Sequence, residues 1–128
     1  MKEEIQLIKI LFATPKTIYN AWLDSTEHSK MTGGEAKCGN KAGDDFTTWD
    51  GYISGNNISL TENEEIVQNW RTSEFDVRDE DSKLVINLKG VKEGTELTLV
   101  HSNIPEGQTQ YKKGWEDHYF IPMCKYFK

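Results

Sequence analysis

The sequence has little of what marks secreted, membrane-spanning or disulfide-rich proteins. Its 128 residues include two cysteines, Cys38 and Cys124, which lie far apart and outside any C-x-x-C pattern. Such cysteines favour two reduced thiols in a cytoplasmic protein, with a single disulfide as the alternative. No stretch approaches the ~20 apolar residues of a membrane-spanning helix. The apolar run 5–13 is interrupted by Lys9 and lacks a signal-peptide cleavage pattern. We therefore expect no membrane insertion.

Positive charge is also scarce, whereas aromatic residues are plentiful. Fifteen basic residues stand against 21 acidic ones, which gives a formal net charge of −6. That charge repels polyanions, so we predict no nucleic-acid binding. Four tryptophans, five tyrosines and five phenylalanines can build a substantial core. A chain of this length and composition predicts one globular domain over residues 1–128.

The motifs of catalysis and metal binding are missing. The three histidines, His28, His101 and His118, form neither an H-x-x-x-H nor an H-E-x-x-H spacing. No G-x-S-x-G elbow and no phosphate-binding glycine loop occurs. His101 and His118 could meet a cysteine at a zinc site, but ordinary hydrogen bonds at a cavity rim explain them with fewer assumptions. We predict no catalytic residue, no metal and no cofactor.

Hydrophobic periodicity predicts a strand, two helices, a series of strands and a last helix. The first strand covers residues 4–12, with apolar residues on both faces that indicate burial on both sides. Thr14 precedes a proline as the N-cap of a helix over 15–23, and a short helix over 25–31 ends at Gly33-Gly34. Further strands are predicted over 46–49, 58–62, 66–72, 84–88 and 97–101, with a weaker candidate near Ala36. Short connectors, among them a turn over 55–57, predict an antiparallel meander.

The C-terminal segment predicts a helix with one aromatic face and a proline inside it. At ~100° per residue, one face collects Tyr111, Trp115, His118, Tyr119, Pro122 and Tyr126. Phe120 and Phe127 fall near the edge of the opposite, solvated face, where they would contact the first strand or a partner. Pro122 removes a backbone donor and bends the helix. We expect this helix to close a curved sheet over an apolar interior.

A cavity between sheet and helix is the predicted binding site. Strand alternation places Trp70 toward the helix and Arg71 on the outer surface, where a surface ion pair is expected. For Trp70, plain core packing and ligand contact are equally compatible with this position. The predicted cavity-lining residues are Phe46, Trp49, Trp70, His101, Trp115, His118, Tyr119 and Tyr126.

Several motifs are similar to those of one protein superfamily. They are V-Q-x-W-R at 67–71, T-x-L-T-L-x-H at 95–101 and G-W at 114–115 ahead of a proline-bearing last helix. Together with Phe12, Ile18, Tyr19, Ala21 and Trp22, they resemble the START-like helix-grip (SRPBCC) superfamily, in the branch named for the activator of heat-shock protein 90 ATPase. The resemblance implies an α+β fold: about seven antiparallel strands wrapped around a long C-terminal helix, often with a hydrophobic cavity. It also implies a stand-alone equivalent of the C-terminal domain of the eukaryotic co-chaperones.

Three functions stay open on the sequence alone. The first is a non-catalytic domain that binds an apolar or amphipathic small molecule in the cavity. The second is a chaperone-associated interaction module, which exposed Phe120 and Phe127 would support. The third is a polyketide cyclase-like enzyme, which would need a polar pair such as His101 and Arg71 converging inside the cavity. The sequence allows a monomer or a dimer.

Overall fold

The computed structural model describes residues 2–127. The strands are β1 (Glu3–Leu11), β2 (Asp45–Thr48), β3 (Ile53–Thr61), β4 (Glu65–Thr72), β5 (Ser82–Val91) and β6 (Gly94–Ile104). Helices α1 (Pro15–Leu23) and α2 (Ser25–Thr32) follow β1, and the C-terminal helix consists of α3 (Tyr111–Trp115), a π-helical turn (Glu116–Phe120) and α4 (Ile121–Tyr126). The predicted α+β helix-grip fold is therefore confirmed.

The strands form one antiparallel sheet in the order β1-β6-β5-β4-β3-β2. Every pairing from β2 to β6 joins strands that follow each other in the chain, and β1 adds to the far side of β6. The described residues contain six strands and not about seven, because the candidate near Ala36 contributes only an isolated bridge between Lys37 and Thr47. The sheet is the predicted meander, with β1 and β2 at its edges.

The prediction that β1 is covered on both faces is wrong. Leu11 is completely buried, but Ile8 and Phe12 on the other face are 59% and 62% exposed. The neighbouring strands β5 and β6 also alternate buried and more exposed residues, so the sheet is covered on one face only and the outer face of β1 meets solvent. The apolar residues of this edge strand thus form an exposed surface.

The turn predicted over residues 55–57 is also wrong. These residues lie inside β3, where Gly55 pairs with Trp70 and Asn57 with Gln68. A Cβ on Gly55 would come within 1.8 Å of the carbonyl oxygen of Asn69. Glycine at this position therefore allows the backbones of β3 and β4 to approach closely. The Asn57 side chain donates to the carbonyl oxygens of Gly39 and Lys41, which explains a polar residue in a buried strand position.

The first helices begin and end as their capping residues predict. The hydroxyl of Thr14 accepts a hydrogen bond from Thr17 N at 3.2 Å, with Pro15 at the first helical position. Asp24 caps α2 by accepting from Glu27 N at 2.8 Å. Gly33 ends α2 with φ of 90°, a conformation that suits glycine. These caps fix where both helices begin and where α2 ends.

The C-terminal helix departs from a regular α-helix just before Pro122. Ile121 N bonds to the carbonyl of Glu116, five residues earlier, as expected in a π-helical turn. Pro122 has no N–H for the carbonyl of His118, and the wider turn relieves the clash of its ring with the preceding turn. The extra residue rotates everything that follows around the helix axis.

This rotation corrects two expectations from the regular helical wheel. Phe120 and Phe127 are 4% and 6% exposed and belong to the core, so neither offers a surface for a partner. Tyr126, predicted on the aromatic inner face, is 37% exposed and donates to a carboxylate oxygen of Glu27 on α2. The inner face begins as predicted with buried Tyr111, Trp115 and Tyr119 and then continues through buried Met123.

Candidate functional site

A pocket of about 600 Å³ opens between the C-terminal helix and the β2–β4 side of the sheet. A cavity of this size lies within the range of small-molecule sites. The helix provides one wall, and Trp70 on β4 and Ile53 on β3 provide another. The lining residues are Trp49, Tyr52, Ile53, Trp70, Gln110, Tyr111, Lys113, Gly114, Trp115, Asp117, His118 and Tyr119. Six of these twelve carry a tryptophan or tyrosine ring, so the walls are mainly aromatic.

Five of the eight predicted cavity-lining residues border this pocket: Trp49, Trp70, Trp115, His118 and Tyr119. The other three lie elsewhere. Phe46 borders a separate void of about 10 Å³, His101 is completely buried against Trp70 and Trp115, and Tyr126 faces α2. The other seven lining residues were not in the predicted set: Tyr52, Ile53, Gln110, Tyr111, Lys113, Gly114 and Asp117. Tyr52 lies in the turn between β2 and β3, and Ile53 begins β3.

His101 holds two of the pocket's tryptophans. Trp115 Nε1 donates to His101 Nδ1 at 3.1 Å, and the Trp70 ring lies edge-on at 4.4 Å between ring centroids. Ser82 Oγ gives its one hydrogen to the carbonyl of Trp70 at 2.8 Å, so it accepts from His101 Nε2 at 2.7 Å. This chain of contacts requires a neutral imidazole with its proton on Nε2.

Burial lowers the pKa of His101 to about 3, in agreement with that geometry. A second proton on Nδ1 would face the N–H of Trp115 and break its hydrogen bond. His101 is therefore a positioning residue for Trp115 and not a proton acceptor for a ligand. Arg71 lies on the other face of the sheet, where it pairs with Asp81 at 2.8 Å. The expected surface ion pair forms, and His101 and Arg71 do not converge in the pocket.

A second polar network fills the interior near α1 and α2. Trp22 Nε1 donates to Gln68 Oε1 at 3.4 Å, and Gln68 Nε2 donates to Asn57 Oδ1 at 2.8 Å. His28 Nδ1 donates to the carbonyl of Trp22 at 2.8 Å, and His28 Nε2 lies 3.1 Å from the Tyr119 hydroxyl. Burial lowers the pKa of His28 to about 4. The void of about 10 Å³ in this region leaves room for about one water molecule.

Polar atoms on the pocket walls are mostly used within the protein. The Tyr52 hydroxyl donates to a carboxylate oxygen of Glu74. Tyr111 donates to Gln108 at 2.6 Å and lies 2.7 Å from the hydroxyl of Thr72. The Tyr119 hydroxyl lies between His28 and Thr48. The tyrosines thus present ring faces to the pocket while their hydroxyls bond to the protein.

Trp49, unlike these tyrosines, has a polar atom to which no described residue forms a hydrogen bond. Among residues 2–127, its buried Nε1 has no hydrogen-bond partner. Trp49 also has φ of 51°, an unusual conformation for a bulky side chain, in the turn between β2 and β3. Its ring packs on the Gly34 backbone so closely that a Cβ there would lie 2.5 Å from Cε3. The close packing on Gly34 holds Trp49 in this unfavourable backbone conformation and so fixes this wall of the pocket.

Charged groups surround the mouth of the pocket. Lys113 Nζ pairs with Asp117 at 2.7 Å, and its side chain is largely exposed. This carboxylate raises the pKa of Lys113, with a smaller contribution from Glu116. Burial raises the pKa of Tyr52 to about 12, with help from its hydrogen bond to Glu74. The acidic groups therefore lie close to lining residues and act electrostatically on them.

Neither metal ligands nor a reactive thiol stand out in the described part of the chain. Over residues 2–127, no three or more His, Cys, Asp or Glu side chains are placed to hold a metal ion together. Cys38 and Cys124 are free thiols, and burial raises the pKa of Cys38 to about 11, which disfavours the thiolate. Within the same residues, no helix is both long and apolar enough to cross a membrane.

The six-stranded antiparallel sheet, the two short helices after β1 and the C-terminal helix define a helix-grip protein of the START-like class. Residues 13–127 match the family model described as activator of Hsp90 ATPase homolog 1-like protein. The chain belongs to this family. Comparison with the curated proteins finds no match.

Solved structures share this fold over nearly the whole chain. An HSP90 activator from Plasmodium falciparum is 26% identical with a TM-score of 0.78, over 94% of this chain and 91% of that one. A protein of Chromobacterium violaceum is 21% identical with a TM-score of 0.78, over 97% and 96%. The Aha1 dimer of Colwellia psychrerythraea is 16% identical with a TM-score of 0.76, over 98% and 93%. The last two show likeness of fold alone.

Proposed function

We propose that this protein binds a small apolar or amphipathic molecule in the aromatic pocket beneath its C-terminal helix. The pocket itself is the observation that carries this function: about 600 Å³ with tryptophan and tyrosine rings on opposite walls. Burying a ligand against such surfaces is favourable at roughly 25 cal/mol per Å² of apolar area. His101 supports the proposal because it fixes the orientation of Trp115 and contacts Trp70 without using its own polar atoms in the pocket.

Gly114 allows this function to be tested without removing any part of the core. It lies on the pocket wall within α3, and a Cβ at this position would meet no atom within 4 Å. Gly114→Phe should therefore fold and place a ring at the pocket mouth. Gly114→Ala is the matched control, because it adds only a methyl group and should raise helix stability by about 1 kcal/mol.

Native mass spectrometry of protein purified gently from its own host is the measurement. We expect a reproducible small-molecule adduct on the original chain and on Gly114→Ala, and a strongly reduced adduct on Gly114→Phe. Denaturing analysis of the released molecule would identify its class. The proposal fails if the original chain carries no adduct and binds no apolar probe, or if Gly114→Phe binds as well as Gly114→Ala.

Chaperone contact is the second candidate function. The likeness to the HSP90 activator from P. falciparum supports it, as does membership of a family described by that activity. The contact would use a surface other than Phe120 and Phe127, which are buried. Exposed Ile8 on β1 and Phe12 directly after it provide an apolar alternative next to the unpaired strand edge.

The ATPase rate of an Hsp90-type chaperone from the same host tests this candidate. Stimulation by the original chain that is lost in Ile8→Lys and kept in Ile58→Lys would support contact through β1. Ile58 is a suitable control because it is also an exposed apolar strand residue, 44% accessible, but lies on β3. An unchanged ATPase rate with saturating protein would count against the chaperone function and leave ligand binding untouched.

A further inference from the structure

We propose that the aromatic pocket selects ligands with a positively charged amine attached to an aromatic or apolar body, and discriminates against carboxylates. This inference rests on the proposed ligand-binding function and names the chemical class of its ligand. Three features support it: the carboxylates near the mouth, the aromatic walls and the exposed ion pair formed by Lys113 and Asp117.

Carboxylates are the charged groups that act on the lining residues Lys113 and Tyr52. Asp117 lines the pocket, Glu74 accepts from the hydroxyl of the lining residue Tyr52, and Glu116 acts on Lys113. Among the described lining residues, Lys113 is the only lysine and there is no arginine. Within the lining set the charges of Asp117 and Lys113 cancel, and two further carboxylates, Glu74 and Glu116, act on the lining residues Tyr52 and Lys113. A cation entering the mouth is attracted and a carboxylate is repelled, and the net charge of −6 acts in the same direction.

The aromatic walls of the pocket also favour a positively charged ligand. Aromatic faces carry negative quadrupole potential, which attracts ammonium groups and offers nothing to an anion. An anion would need hydrogen-bond donors, but the hydroxyls of Tyr52 and Tyr111 and the indole N–H of Trp115 already donate within the protein. Trp49 Nε1, without a partner among the described residues, is one buried donor at the wall. A carboxylate that loses its hydration needs charged or several converging donors, and a neutral indole N–H supplies only one hydrogen bond.

The ion pair at the mouth indicates where the ligand's amine would bind. Lys113 Nζ lies 2.7 Å from Asp117 Oδ2, while the Lys113 side chain is 81% exposed. Such an exposed pair contributes little to stability, so a competing cation can displace it at low cost. The ligand's ammonium group would replace Nζ of Lys113 beside Asp117 and leave its apolar body among the aromatic rings. Lys113 is then a competitor for the ligand and not a contact that helps to bind it.

Three probes of nearly equal shape test the charge preference: 1-naphthylmethylammonium, 1-naphthalenemethanol and 1-naphthoate. Isothermal titration calorimetry at neutral pH and low salt gives their affinities. We expect the ammonium compound to bind at least about tenfold more tightly than the carboxylate, with the alcohol between them. The indole N–H resonances of Trp49, Trp70 and Trp115 should shift on binding, and that of Trp22, outside the lining set, should shift least.

Single-charge variants test the position of the amine. Lys113→Gln should tighten binding of the ammonium probe about threefold, and Asp117→Asn should weaken it by a similar factor, as expected for one partly exposed charge. Lys112→Gln and Glu93→Gln are the matched controls, because each removes the same charge from an exposed position outside the lining set. Both controls should change the affinity less than twofold.

The possible results separate this inference from the proposed function. If 1-naphthoate or the alcohol binds as tightly as the ammonium probe, the charge preference is wrong and ligand binding stands. If Lys113→Gln weakens the ammonium probe, the displacement of Lys113 is wrong. If none of the three probes binds and no host ligand is found on the purified protein, the proposed function itself fails.

Discussion

The two ends of the space beneath the C-terminal helix differ sharply in how they are filled. Around Trp22 and His28, side chains leave a void of only about 10 Å³, and hydrogen bonds connect Gln68, Asn57 and Tyr119 to their neighbours. Around Trp49 and Trp115, a pocket of about 600 Å³ stays open to solvent. The same sheet and helix bound both regions. The comparison shows that this fold can pack its interior tightly, so the open pocket is a local property of the residues around it.

Both regions share one feature, a buried neutral histidine that links a strand or helix to an aromatic wall. Acid should therefore destabilise both regions at once. Of all the changes predicted here, we expect lower pH to cause the largest loss in the free energy of unfolding. Burial lowers the pKa of His28 from 6.5 to about 4 and that of His101 from 6.5 to about 3. Below pH 6.5, the unfolded chain binds protons at these positions and the folded chain does not, so the free energy of unfolding falls as the pH falls.

The loss should amount to roughly 3 kcal/mol for each histidine between pH 7 and pH 4, a large part of the stability of a small domain. Urea unfolding followed by tryptophan fluorescence at a series of pH values measures it. NMR of the imidazole rings provides the check on the cause, because His28 and His101 should keep neutral chemical shifts down to pH 5. Titration of either ring near pH 6.5 in the folded protein would contradict this explanation.

Replacing His101 and His118 in turn tests whether buried hydrogen bonds or an exposed ring contact stabilise the tryptophans of the pocket. His101→Leu removes the acceptor of the Trp115 N–H and the donor to Ser82 in a fully buried position. We expect a loss of about 3 kcal/mol in the free energy of unfolding, because two buried polar groups lose their partners. His118→Leu is the control: His118 also packs edge-on against a tryptophan, Trp49, at 5.4 Å between ring centroids, but its side chain is exposed.

His118→Leu should change stability by less than about 0.5 kcal/mol. His101→Leu should in addition move the Trp115 indole resonance and weaken binding of a pocket ligand, while ligand binding at saturating concentration recovers part of the lost stability. Equal destabilisation by the two variants would mean that the buried hydrogen bonds of His101 add nothing to an exposed imidazole–tryptophan contact. The positioning role of His101 would then be wrong.

The features that the sequence predicted correctly are those with a local pattern, such as strand alternation, capping residues or a regular helical period. Alternation along β4 correctly placed Trp70 inside and Arg71 outside, and capping residues correctly placed the starts of α1 and α2. A regular 3.6-residue period placed Trp115 and Tyr119 on the inner face but misplaced Phe120, Tyr126 and Phe127. The π-helical turn over Glu116–Phe120 inserts one residue, and a wheel with constant rotation cannot represent it.

Other features depend on contacts between distant residues and leave no local pattern. Gly55-Asn56-Asn57 has the composition of a turn, yet close approach of β4 and buried hydrogen bonds of Asn57 keep it in a strand. The exposure of Ile8 and Phe12 depends on which face of the sheet the helices leave uncovered, and the sequence of β1 does not reveal that. Whether a cavity is open or filled depends in the same way on the packing of many side chains from separate elements.

The smallest predicted effect compares one glutamine from each region. Gln68 in the filled region accepts from Trp22 and donates to Asn57, whereas Gln110 lines the pocket at an exposed position. Gln68→Met keeps the volume but leaves Trp22 Nε1 and Asn57 Oδ1 without their partner, so the free energy of unfolding should fall by about 2 kcal/mol. Gln110→Met should change it by less than about 0.5 kcal/mol.

Ligand binding should respond in the opposite order to these two variants. Gln110→Met alters the pocket mouth and should change the affinity for 1-naphthylmethylammonium, while Gln68→Met, whose site lies in the filled region, should leave it within twofold. Urea unfolding and calorimetry on the same two proteins provide both measurements. If Gln68→Met lowered affinity as much as stability, the two regions would be one coupled unit. The open pocket would then owe its shape to the polar network behind it, and not only to the residues on its own walls.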